Sequence, residues 1–432
     1  MIPFSLFILL LAAVAFCFAC NRDIFSPAKF YHAYLGVFFA AIFFSEHSGY
    51  IYAVYFGFIL AGMLLSLLEA HVLARRDVRW TPLRTFTLAP RRFVVILWGL
   101  TAIPILSQFY LIHTTGGWTA LAMTIAHRVA VWQGLGPVLM LISMMAPINL
   151  VYLAVGLVYG KRHPGLWWVF YGLHLLLFLF TALLLASRGF FLGQLVLMML
   201  VYNYLRKPVK LKYALCVGAV LLFVAAFLGT VRNNVTRLAH VEKLADLEGE
   251  ALNMRMFSYG VNPMDIVFSR DFADYQYGKT FLTPITNFIP RRIWPGKFES
   301  GGVVLTKFWL GHRYTGLTNM STGLVTESIL NFGYPLGILV GFAFLLFVVL
   351  VTLRWYAHLR SHLGSLTGLR RVYLVCIYAY IAQIGGNLLC GELQSCVGPV
   401  LFRLLLLSVL MFLLRVRVFC VPCVQHSVRG VL

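Results

Sequence analysis

At 432 residues, with 61% hydrophobic and 11% charged residues and a mean hydropathy of +0.85, the chain is too apolar for a water-soluble globule of any size. A formal net charge of +21 would point a soluble protein towards nucleic acid, but the basic residues here lie mostly in short runs between apolar segments, which is a signature of membrane topology. The composition is that of an all-α polytopic membrane protein.

The first apolar run, 3–20, has no basic leader and no small-residue cleavage site, so it is expected to stay as a helix. Runs of spanning length, about 20 residues, follow at 30–48, 50–72, 93–112, 135–159, 166–186, 189–205 and 212–231. A hydrophilic stretch from Arg232 to Thr326 interrupts them, and three further runs at 327–353, 372–391 and 396–414 complete an expected set of about eleven. The chain thus divides into eight helices over 1–231, a long loop over 232–326, and three helices with a tail over 327–432. Alternate short connections carry 21 Lys and Arg on one side and only Arg128 and Arg188 on the other. The positive-inside rule places the first set in the cytoplasm and the N-terminus, the 113–134 connection and the long loop outside.

Within the long loop, Val235, Leu238, Val241, Leu244, Leu247, Leu252 and Met256 recur at helical spacing, which predicts an amphipathic helix from Arg232 to about Tyr259. Beyond Gly260, Pro263, Pro284, Pro290 and Pro295 restrict the loop to short or irregular elements. Trp118 to Trp132 predicts a second amphipathic stretch on the membrane surface. Cys17, Cys20, Cys216 and Cys376 read as packing residues. Cys390 and Cys396 flank an outward turn and are candidates to pair in an oxidising compartment. Cys420, Cys423 and His426 make a partial zinc-ligand set.

Three arginines stand at informative depths. Arg188 sits in the turn before the run at 189–205, Arg232 ends the run at 212–231, and Arg403 lies about 10 Å inside the last expected helix, at 1.5 Å per residue. An arginine at that depth costs about 2.5 kcal/mol or more unless it reaches water or an anion. Acids near the outer helix ends are few, namely Glu46, Glu327 and Glu392, so cationic capacity remains for a phosphate or pyrophosphate. Arg188 and Arg232 serve equally as interfacial anchors, and Arg403 as a snorkelling side chain. In the loop, Arg291, Arg292 and Lys297 are spaced by Pro290 and Pro295 around Trp294, which suits an anionic ligand or a lipid headgroup. Glu327 and His312 are the candidate bases; the first also fits a helix-start carboxylate and the second an exposed polar residue. His174 reads as a satisfied interhelical histidine. The sequence carries no Asp-x-Asp pair among Asp265, Asp271 and Asp274 and no Walker or dinucleotide fingerprint, so no cofactor is expected.

The central region resembles the Wzy-type O-antigen polymerase family of oligosaccharide repeat-unit polymerases. The resemblance rests on Ser187-Arg188-Gly189, Arg232, Gly278-Lys279-Thr280-Phe281, Ile289-Pro290-Arg291-Arg292-Ile293-Trp294-Pro295-Gly296-Lys297, Thr326-Glu327-Ser328, and Asn331-Phe332-Gly333 with Gly337. It implies a metal-independent glycosyltransferase with a GT-C-like helical fold in the bacterial inner membrane and a periplasmic long loop. Its donor and acceptor would be undecaprenyl-pyrophosphate-linked glycans, with a chain-length regulator as a possible protein partner. Arg188, Arg232, Arg291, Arg292, Lys297 and Arg403 would bind pyrophosphate, and Glu327 or His312 would assist the acceptor. An O-antigen ligase or peptidoglycan-type polymerase would share this architecture. A lipid-linked oligosaccharide flippase is the competing class, but transporters often show internal repeats, and none is visible here.

Overall fold

The computed structural model describes residues 2–74, 90–120, 131–132, 134–159, 164–185, 187–238, 255–270, 272–289, 291, 293–316, 319–366 and 368–413. Among these residues the secondary structure is entirely helical. The first half holds α1 (Ile2–Cys20), α2 (Pro27–Phe38), α3 (Gly49–Ala74), α4 (Pro90–Thr114), α5 (Gly136–Ser143), α6 (Met145–Tyr159), α7 (Pro164–Leu184), α8 (Arg188–Leu205) and α9 (Leu211–Leu238). Short helices follow in the loop region: α10 (Asn262–Ser269), α11 (Thr283–Thr286) and α12 (Gly301–Leu310). The chain continues with α13 (Leu324–Phe332), α14 (Leu336–His362), α15 (Gly368–Ala382), α16 (Ile384–Cys390) and α17 (Leu393–Leu413).

Among the described residues eight helical stretches are long and apolar enough to cross a bilayer, at 2–20, 49–72, 93–114, 136–159, 165–184, 336–362, 368–390 and 393–413. The expected runs at 189–205 and 212–231 are helical, with shorter apolar cores. The run at 30–48 is divided, because α2 ends at Phe38 and a single 3-10 turn follows at Ala40–Phe43. A distant partner ends it: the Gly260 N–H donates to the Phe38 carbonyl at 3.0 Å. The run at 327–353 is also divided, into α13 and α14, at Gly333 and the cis Tyr334-Pro335 peptide. Here the breakers stood in the sequence. The predicted amphipathic helices of 232–259 and 118–132 lie largely outside the described residues, as do Cys420, Cys423 and His426. Cys390 and Cys396 are free thiols, both buried.

The core centres on α6 and α15, which are buried on nearly every face. α14 shows the contrasting pattern of a helix between protein and lipid. Gly337, Gly341, Leu345, Val349, Leu353, Tyr356 and Leu359 form a buried stripe at helical spacing, while Leu339, Leu346, Phe347 and Leu350 are exposed. Small residues at the top of the stripe let backbones approach: a Cβ on Gly337 would lie 2.5 Å from Ile329 Cα of α13. His174 meets the expectation of an interhelical histidine, with Thr101 Oγ1 at 3.0 Å and Asn149 Nδ2 at 3.1 Å.

At the basic end of the bundle, the turn between α1 and α2 ties these two helices to α3, α8, α14 and α15. Asp23 Oδ2 accepts from the hydroxyls of Tyr204 at 2.7 Å and Tyr356 at 3.0 Å, with Arg360 at 3.7 Å. The Tyr378 hydroxyl donates to the Phe25 carbonyl at 2.7 Å. Asn21 donates to Tyr356 and to Glu69, and Glu69 accepts from the Ala28 N–H in the first turn of α2 at 3.1 Å. Lys29 Nζ donates to the carbonyls of Cys17 at 2.8 Å and Asn21 at 2.7 Å, closing the end of α1. Hydrogen bonds to a charged acceptor contribute about 1.5–3 kcal/mol each, and more is lost when one partner stays buried and unpaired. Asp23→Ala should therefore lower the thermal midpoint of the detergent-purified protein by an amount equivalent to about 3 kcal/mol or more. Tyr204→Phe, which removes one of these bonds, should produce a clearly smaller shift in the same melt.

Candidate functional site on the loop face

The short helix α13 organises the opposite end of the bundle. Its last turn holds Asn331, whose side chain is fully buried and fully used. Asn331 Oδ1 accepts from the Gly278 N–H at 2.8 Å, and Nδ2 donates to Thr280 Oγ1 at 2.7 Å and to the Glu327 carbonyl at 2.8 Å. The Tyr277 N–H adds a bond to the Asn331 carbonyl at 3.0 Å. Tyr277 and Gly278 both have positive φ, 47° and 82°, and that left-handed turn aims two consecutive N–H groups at one residue. The Gly278-Lys279-Thr280 motif is thereby the clasp that fixes the loop to α13.

Glu327, in the first turn of α13, is completely buried. Its Oε2 accepts from the Leu393 N–H at 2.8 Å, so it caps the start of α17 from another helix. Glu392 does the same for α12, accepting from the Gly302 N–H at 2.5 Å. The two acids meet across the glycine pair that opens α12: a Cβ on Gly301 would lie 2.8 Å from Glu327 Cγ, and one on Gly302 would lie 2.8 Å from Glu392 Oε2. Only glycine fits both positions. Burial, then the neighbouring Glu392 carboxylate, pushes the Glu327 carboxyl up to about 8, and burial raises Glu392 as well. Glu327 thereby favours its neutral form, and its buried Oε1 is left with only the neighbouring Thr280 side chain to turn to.

The cationic segment lies beside α17. Phe288 packs on Phe402 with ring centroids 6.4 Å apart, and Pro284 approaches Gly398, so the chain leading into Arg291 and Lys297 runs alongside the turn that carries Arg403. Lys297 Nζ rests on the carbonyls of Ile289 at 3.0 Å and Asn287 at 3.5 Å. Burial and the nearby Arg291 guanidinium both lower its pKa. Arg291 reaches the Pro295 carbonyl at 3.5 Å. Arg403 lies 5.3 Å from the centre of the Tyr380 ring and has a buried Nε without a partner. Because α17 begins at Leu393, Arg403 is ten residues from its start, about 15 Å and deeper than expected. None of these three cations has a carboxylate partner among the described residues; the nearby Glu299 is taken by Lys307 at 2.7 Å.

The other expected residues fall into two groups. Arg188 opens α8 behind a Ser187 cap, whose hydroxyl accepts from the Phe190 N–H at 3.4 Å, and Arg232 lies in the last third of α9. Their side chains, like Arg292, lie outside the described residues. His312 is exposed at the far end of α12, one helix length of about 15 Å from the glycine pair against Glu327. The two candidate bases are therefore held apart. Glu392, Gly301 and Gly302 are the site residues that sequence reasoning did not single out as machinery, although a glycine pair opening an apolar helix was the available signal.

An acid whose folded pKa is raised stabilises the fold fully below its unfolded value, and that contribution is lost as pH rises through the folded value. For Glu327 the window runs from about 4.5 to about 8, with each pH unit changing stability by up to about 1.4 kcal/mol. The native protein should therefore lose thermal stability from pH 5 to pH 8. Glu327→Gln, which mimics the neutral acid, should flatten that decline; an unchanged slope would show that Glu327 does not titrate in this window.

Comparison with protein-family models, with curated proteins and with solved structures gives no significant match for this chain.

Proposed function

We propose that the protein polymerises undecaprenyl-pyrophosphate-linked oligosaccharide repeat units at the periplasmic face of the bacterial inner membrane. In this reading it is a metal-independent glycosyltransferase with eleven spans and a GT-C-like arrangement, and a chain-length regulator is its protein partner. The observation that carries the reading is a set of cations without carboxylate partners among the described residues: Arg291 and Lys297 follow the segment that packs on α17, and Arg403 lies within that helix, with carbonyls and a ring for neighbours in place of acids.

Transfer of the growing glycan breaks a sugar–pyrophosphate bond, and negative charge grows on the departing oxygen. Cations already held in place stabilise that charge most in a site shielded from water. Arg291, Arg292 and Lys297 would take the pyrophosphate from the loop side and Arg403 from the membrane side, with Arg188 and Arg232 supplied by α8 and α9. Glu327 fixes the start of α17 and hence the height of Arg403, which supports a positioning role for it. His312, exposed at the edge of the loop, is then the candidate that meets the acceptor hydroxyl.

In cells lacking this protein, surface glycan should stop at one repeat on the lipid core; unattached full-length polymer would instead indicate a ligase. With purified protein and a defined lipid-linked repeat unit, Arg291→Ala and Arg403→Ala should each lower turnover by about 100-fold or more. The Arg→Lys variants should retain part of it, because charge remains and the planar fork does not. Normal turnover in both alanine variants, at normal protein level, would sink the pyrophosphate assignment. His312→Ala should cost more than Glu327→Gln in the same assay, and the reverse order would return the base role to Glu327.

A further inference from the structure

We propose that Ser45, His47 and Asp265 form a separate acyl-transfer site, in which Ser45 is an activated nucleophile that takes the acyl group of a neutral carboxylic ester and passes it to water. Ser45 Oγ lies 2.7 Å from His47 Nε2, and His47 Nδ1 lies 3.1 Å from both Asp265 carboxylate oxygens. Nucleophile, base and orienting carboxylate thus stand in series at hydrogen-bond distance. Ser45 and His47 come from the turn before α3 and Asp265 from the first turn of α10, 218 residues away from His47.

The order of the three groups fixes the protons. An ionised carboxylate only accepts, so the neutral imidazole carries its hydrogen on Nδ1 and offers the Nε2 lone pair to Ser45. The Ser45 hydroxyl also lies 3.0 Å from the Ala41 carbonyl, but Nε2 is nearer and the stronger base. The ring is held in place: the His47 side chain is only 8% exposed, it packs edge-on to Tyr52, and its own N–H donates to the Tyr52 hydroxyl at 3.2 Å. Ser45 itself faces solvent. A shielded base beside an accessible nucleophile is the arrangement that an acyl transfer requires.

His47 and Asp265 line a cleft of about 320 Å³ together with Glu46, Ser48, Phe268 and Ser269, and Ser45 adjoins it through its 2.7 Å contact with His47 Nε2. Phe268 forms its apolar wall, stacked on Tyr50 at 5.6 Å and edge-on to Tyr334 at 5.9 Å. Ser48, the residue before α3, also lines the cleft and caps that helix, its carbonyl accepting from the Ile51 N–H at 3.1 Å. Glu46 disfavours anionic esters, which selects a neutral one. Ser45 Oγ attacks the carbonyl carbon while its proton passes to His47 Nε2, and the imidazolium is stabilised by Asp265. The ester C–O bond then breaks and the alcohol leaves with that proton. Water, giving a proton to His47, releases the acid and restores the Ser45 hydroxyl.

The test uses the full-length protein in detergent, a fluorophosphonate probe and p-nitrophenyl butyrate. The native protein should label once, with the adduct mapped by peptide sequencing to Ser45, and should hydrolyse the ester but not p-nitrophenyl phosphate. Ser45→Ala should abolish labelling, and His47→Gln and Asp265→Asn should each slow it by about 100-fold or more. Mapping the adduct on native protein keeps the test decisive even where a variant fails to fold. No labelling of the native protein, labelling that survives in Ser45→Ala, or an undiminished rate in well-folded His47→Gln would overturn the proposal. None of these outcomes depends on glycan polymerisation.

Discussion

Polar groups withdrawn from water must find partners within the protein, and this constraint organises both ends of the bundle. At the basic end the turn from Asn21 to Ser26 meets it by recruiting side chains from α3, α8, α14 and α15. Lys29 shows how this works locally: a basic residue counted among the topological charges is 8% exposed and serves the last carbonyls of α1. One turn of six residues therefore sets the relative heights of helices that are far apart in sequence. Apolar contact between helices is nearly indifferent to sliding, whereas a tyrosine hydroxyl reaching a single carboxylate is not.

At the loop end the same constraint produces reciprocal capping. Glu327 serves α17 and Glu392 serves α12, and both acids sit against the glycine pair of α12. The loop is attached through Asn331, which spends its amide on Gly278 and Thr280. The acids are consumed in holding helix starts, while the cations nearby are left with carbonyl neighbours. That division of labour produces a positively charged surface beside a stable frame, and it is what the proposed pyrophosphate chemistry draws on.

Much of this was legible in the sequence, and what was not has a physical cause. Long apolar runs, the placement of Arg403 inside a helix and the interhelical role of His174 follow from local composition, because the membrane penalises any other solution. The depth of Arg403 exceeds the expected one because the start of α17 at Leu393 is set by the Glu327 cap. The break between α13 and α14 was also written locally, in Gly333 and Pro335. The end of α2 was not, since Phe38 loses its helical continuation to Gly260, more than two hundred residues later. Glu327 read as a base because an acid opening a helix beside cations suits both catalysis and capping. Only the position of the Leu393 N–H assigns its hydrogen bond. Ser45 and His47 carried no signal, as their partner Asp265 belongs to a segment whose neighbours are set by tertiary packing.

The cap that Glu327 supplies to α17 spans 66 residues and points from earlier chain to later chain. Helices of a membrane protein are inserted in order of synthesis, so α13 and α14 are in place before α17 exists. Throughout that interval Glu327 has no N–H of Leu393 to receive, and an acid in its position stays hydrated or protonated. Arrival of α17 supplies that N–H and closes the frame around α12 at the same moment. The loop face is therefore completed only when α17 arrives, and a chain truncated before residue 393 would leave the Glu327 carboxyl without the N–H that holds it.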